Sequence, residues 1–105
     1  MLKSIFEIET EEEYLKYKDK IDINEKDDTS ENALYEAPYK KAKWLIAHGI
    51  DINYRDFFGH TALFKSDYRT TCLLIKHGAD VNVLDEYDNN ALFYVEEPKK
   101  NKITY

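Results

Sequence analysis

The chain has 105 residues, a formal net charge of −6, 43% apolar and 34% charged residues, and one cysteine. This length implies one domain with a thin margin of stability, and the charge disfavours nucleic acid, whose phosphates demand a basic face. Cys72 cannot close an internal disulfide, "MLKSIFEIETEEE" is no signal peptide and no apolar run is long enough to span a membrane, so the expected location is the cytoplasm.

Along the chain, residues 1–26 are expected to form a polar N-terminal cap. Thr10 is a candidate helix N-cap with Glu13 three residues on, the spacing of a capping box. Leu15 is expected at the place that Trp44 and Leu73 occupy in later units, and Lys20 stands where they carry glycine. From Asp27 a single phrase recurs. Ala33, Ala62 and Ala91 each precede a leucine and an aromatic residue, 29 positions apart. Asp27, Asp56 and Asp85 keep the same step, as do Asp22, Asp51, Asp80 and Asn24, Asn53, Asn82. Such a period signals stacked repeats, with boundaries at 27–55, 56–84 and a partial unit 85–105.

In the unit 56–84, "DFFGHT" predicts a turn that Asp56 opens, with Gly59 supplying positive φ. "TALFKS" predicts a short helix capped by Thr61. "DYRTTCLLIKHG" predicts a second helix, capped by Asp67, buried along Leu73 and Leu74, and stopped at Gly78 after Lys76 and His77. Each unit is too small to bury its own apolar side and must lie on its neighbour. At the C-terminus "EEPKKNKITY" begins a second helix with Pro98 in its first turn and leaves the unit unfinished, covered by Ile103 and Tyr105 or continued further.

"GHTALF" followed by "LLIKHGADVNVLD" resembles an ankyrin repeat, and "WLIAHGIDIN" matches it again. The resemblance covers roughly residues 27–97 and implies an all-α helix-turn-helix solenoid with hairpin-like turns, two full repeats and degenerate caps. The unit departs from the family in length, 29 residues against about 33. The family's Thr-Pro-Leu-His reads "TALF", "NALY" and "NALF" here. Aromatic residues therefore stand where a histidine ordinarily ties neighbouring repeats. Tyr35, Phe64 and Phe93 are expected to replace those polar ties with a packed ladder.

Nothing in the sequence spells an active site. His48 and His77 hold one repeat position at helix C-termini, which they stabilise; no Cys/His spacing of a zinc site accompanies them. Cys72 lacks a base and an orienting group and reads as a half-buried structural thiol. "DDTSEN" lacks the glycine and the final acid of a calcium loop. No catalytic or metal-binding residue, and no cofactor, is expected.

The resemblance implies that a partner protein binds turn tips and first helices. By position these are Tyr54, Arg55, Phe57, Phe58 and His60, then Leu84, Glu86, Tyr87 and Asn89, with Lys65, Asp67, Tyr94 and Glu96 on the first helices. Aromatic residues at exposed tips are the mark of an interface. The expected function is non-catalytic protein binding by a monomeric chain. Because some bacterial immunity proteins are small ankyrin-like chains, the reading favoured is an inhibitor that neutralises a bacterial toxin such as a nuclease, whose basic face would attract an acidic chain. A generic adaptor or effector is the alternative, and a metal- or cysteine-dependent enzyme a remote one.

Overall fold

A computed structural model describes residues 3–94, with the backbone alone at Tyr94. Among the described residues the protein is helical and contains no strand. Its α-helices are α1 (Glu11–Tyr17), α2 (Tyr39–Ala47) and α3 (Tyr68–Lys76), joined by turns and 3₁₀ segments. No described helix is long and apolar enough to cross a membrane. Glu96, Pro98, Ile103 and Tyr105 lie outside the described residues.

The repeated aspartates build the turns. One carboxylate oxygen of Asp56 accepts from the N–H groups of Phe58 and His60, each at 2.9 Å. Asp27 does the same with Thr29 and Glu31, and Asp85 with Tyr87 and Asn89. The backbone N–H of each aspartate donates to the carbonyl four residues on, at 2.9 Å in all three turns. Closing so tight a loop needs a left-handed residue. Gly59 supplies it at φ 79°; Ser30 and Asp88 take the same place at 64° and 62°.

After each turn the chain drops into the core, where Ala33, Leu34, Tyr35 and Ala62, Leu63, Phe64 are buried. The helix expected over "TALFKS" is a single 3₁₀ turn, Ala62–Phe64. Asp67 must stay extended (ψ 178°) to cap α3, where its side chain accepts from the Thr70 N–H at 2.9 Å. Buried Ser66 donates to the Leu63 carbonyl at 3.2 Å. Only Lys65 and Ser66 separate the 3₁₀ turn from the Asp67 cap, which leaves no room for another helical turn.

The second helices carry the core. Ala42, Trp44 and Leu45 of α2 and Thr70, Thr71, Leu73 and Leu74 of α3 are buried. Both helices end on a left-handed glycine, Gly49 at 92° and Gly78 at 99°. The next N–H returns to an earlier carbonyl, Ile50 to Leu45 at 3.1 Å and Ala79 to Leu74 at 2.9 Å, which satisfies the orphan C-terminal groups. α1 has no such glycine and runs into a 3₁₀ turn, Lys18–Lys20.

Polar bonds at the repeat step tie unit to unit. The Asn24 side chain accepts from Asp51 N–H at 2.9 Å, and Asn53 from Asp80 N–H at 2.8 Å. The buried Tyr35 hydroxyl donates to the carbonyl of Tyr54 in its own unit and to that of His60 in the following one. This corrects the expected ladder: Tyr35 is at once an apolar rung and a polar tie. The third rung also differs, since Phe93 is 66% exposed where Phe64 is 8%.

At the N-terminus the Thr10 hydroxyl accepts from Glu13 N–H at 3.2 Å, as expected of a cap, whereas the Glu13 carboxylate reaches Glu9 N–H. Leu15 is exposed, contrary to expectation. Tyr14 takes the buried place one residue earlier and stacks on Trp44, ring centroids 5.3 Å apart. Ile5 and Ile8 complete the end of the core. The molecule measures 43 × 26 × 21 Å with a radius of gyration of 14.0 Å, longer than the ~13 Å of a compact domain this size.

Candidate interaction surface

The residues two and one before the left-handed position are the turn tips: Asp28-Thr29, Phe57-Phe58 and Glu86-Tyr87. Only the second and third are aromatic. Phe57 is 76% exposed, Tyr87 70% and Phe58 51%, and Leu84 beside them is exposed as well. These are large apolar side chains held in water by a backbone that is hydrogen-bonded on both sides.

The two aromatic turns are locked to one another. Glu86 N–H donates to the Phe58 carbonyl at 3.0 Å. The Arg55 guanidinium donates to the carbonyls of Gly59 at 3.2 Å and Leu84 at 2.6 Å, one in each turn. A Cβ on Gly59 would lie 3.1 Å from the Cα of Asp85, so the turns meet backbone to backbone. Beneath them His60 pairs with the wholly buried carboxylate of Asp85 at 3.1 Å. Its ring stacks on Phe64 at 4.7 Å and lies 6.2 Å from that of Phe58. The rings Phe58, His60 and Phe64 thus lead from surface to core.

The expected partner-facing residues therefore divide. Phe57, Phe58, Leu84 and Tyr87 form the exposed apolar part, with Glu86 beside them. Arg55, His60 and Asn89 hold the turns together, the last through its N–H and carbonyl. Tyr54 is partly buried, shares a 2.8 Å hydrogen bond with Ser30 and lies under the Lys26 ammonium. Lys65 bonds buried Glu31, whose carboxylate holds the amine above its ordinary range. Asp67 caps α3. Nothing is assigned to the side chain of Tyr94, and Glu96 lies outside the described residues.

Sequence reasoning passed over Leu92, which is exposed at 55%. Its motif is that of buried Leu34 and Leu63, so nothing local to the motif signals the exposure. Cys72 is exposed rather than half-buried, because α3 turns Leu73 and Leu74 inward. Among the described residues no group of His, Cys, Asp and Glu is gathered as a metal would require. Comparison with protein-family models finds no match, and comparison with curated proteins finds none.

Proposed function

We propose that the chain is an ankyrin-like repeat protein that works by binding another protein and catalyses nothing. The observation that carries this reading is the pair of locked turns presenting Phe57, Phe58, Leu84 and Tyr87 to solvent. Aromatic anchors on a pre-ordered backbone lose little entropy on docking, which is what affinity requires of a small interface. The carboxylates of Glu86 and Asp88 rim the patch, so a basic partner is steered towards it. Within that class the function proposed is a toxin-neutralising immunity protein, its target a basic enzyme such as a nuclease; a general adaptor is the second reading.

Affinity capture from the native cytosol distinguishes them, with the Phe57→Ser/Phe58→Ser protein alongside. The inhibitor reading predicts one basic toxin-like partner, retained by the wild type and lost by the variant. It predicts further that co-expression relieves that partner's toxicity. Several partners kept by both proteins would favour the adaptor. Phe58→Ser alone should shift the melting temperature by less than about 3 °C, the usual effect of a surface substitution. A collapse of stability would show Phe58 to be core, not contact.

A further inference from the structure

The helices α2 and α3 differ in charge from the rest of the chain. Residues 39–49 and 68–78 contain Lys40, Lys41, Lys43, Arg69 and Lys76 and no carboxylate, while the remainder sets ten basic residues against 21 acidic ones. A groove of about 350 Å³ runs along these helices, lined by Tyr39, Lys43, Arg69, Cys72, Lys76 and His77 among others, with no acid in its wall. Arg69, Cys72 and Lys76 follow one another at helical spacings of three and four residues, which places them along one face.

Arg69 is oriented. Its guanidinium lies 3.8 Å from the ring centroid of Tyr39, a stacking that fixes the plane and leaves the N–H edges open to a carboxylate. The ion pairs among the described residues join Lys3 to Glu13, His48 to Glu11, His60 to Asp85 and Lys65 to Glu31. None uses Lys43, Arg69 or Lys76. A solvated helix surface ordinarily mixes charges of both signs; here no carboxylate of the described residues pairs with the three cations or lines their groove.

We propose that this groove docks a short acidic peptide segment of a partner protein, its Asp or Glu side chains seated on Lys43, Arg69 and Lys76. Charge complementarity selects the occupant. Along α3, Arg69 and Lys76 are separated by about 10 Å of helix rise, the reach of roughly three residues of extended chain. A peptide with carboxylates at that spacing meets both cations at once. Nucleic acid suits the groove less, since its charge continues beyond the groove towards a chain with an acid excess. The groove shares no lining residue with the turn tips, so the proposal stands apart from the binding function above.

The native thiol reports occupancy, because Cys72 is the sole cysteine, exposed, and part of the groove wall. Its alkylation by iodoacetamide, an uncharged reagent, is followed by mass spectrometry with and without a synthetic peptide carrying glutamate at every third position and serine between. Saturable slowing by about threefold or more is expected at low salt, fading as screening rises. Lys43→Glu/Lys76→Glu should abolish it, with a thermal melt confirming the fold; Arg69→Gln serves if that variant is unstable. The Phe57→Ser/Phe58→Ser protein should keep it. The proposal is overturned by no slowing up to millimolar peptide, by equal slowing with a lysine–serine peptide, or by slowing that survives the charge reversal. Stronger protection by an oligonucleotide or by inorganic phosphate alone would replace the peptide with that ligand.

Discussion

Gly59 meets two demands at once. Its φ is 79°, and a Cβ there would lie 2.8 Å from the Arg55 guanidinium and 3.1 Å from the Cα of Asp85. Gly78 has φ 99° and open space around it. Gly59→Ala therefore adds a steric push on the next turn to the backbone strain that Gly78→Ala suffers alone. Urea unfolding should show a loss of about 2–3 kcal/mol for the first and about 1 kcal/mol for the second. Equal losses would mean that the contact between turns contributes no stability. The aspartates and the positive-φ residue of this turn were legible in the sequence, because they serve their own loop. The fates of Tyr54, Arg55 and His60 were not. Arg55 and His60 bond atoms of the next unit, at Leu84 and Asp85, and Tyr54 bonds Ser30 at the far end of its own; sequence gives a side chain's chemistry without its neighbour's position.

Among elements, the first helix and the N-terminal cap diverged most from expectation, for related reasons. A 3₁₀ turn replaces the helix because Asp67 begins α3 too soon after Phe64 to allow another turn. In α1 the buried place shifts from Leu15 to Tyr14; with no glycine to fix where the helix ends, repeat spacing alone misplaced its register. α3 was read correctly because its cap, Asp67, and its stop, Gly78, are local. Phe64 anchors the 3₁₀ turn and stacks on His60, so Phe64→Ala should cost about 3–5 kcal/mol by chemical denaturation. A loss under about 1 kcal/mol would remove it from the core. The first turn carries a pH signature. Partial burial pushes the Asp27 carboxyl up, but hydrogen bonds from Glu31 and Thr29 outweigh it and hold the group below its ordinary value. The stabilisation is therefore present above the unfolded-state value of 3.8 and lost as pH falls through the folded one. Asp27→Asn should flatten the decline in stability on the acid side of pH 4 relative to wild type; an unchanged acid limb would assign that decline to other carboxylates.

At the scale of the whole molecule, units touch along one axis. α2 lies against α3, and the 3₁₀ turn Ala62–Phe64 lies against Ala91–Tyr94. The extents of 43 × 26 × 21 Å are those of an elongated molecule. The partition of charge was available in the sequence, since it needs only a count of acids within two helices, but it gains meaning once those helices are seen to share a groove. The exposed Phe93 belongs to this scale too: its motif is that of buried Tyr35 and Phe64. The asparagine ties carry an architectural corollary. Asn53 accepts from Asp80 as Asn24 accepts from Asp51, so each unit offers the next the same socket that it fills in the one before. A second copy of residues 56–84 spliced in after Leu84 would find a matching joint at both seams. The lengthened protein should melt above the parent by several degrees, as nearest-neighbour coupling in a linear array requires; a lower melting point would show that the joints tolerate only their present neighbours. On this account the 29-residue phrase is a cassette, and the protein could be lengthened by copying it.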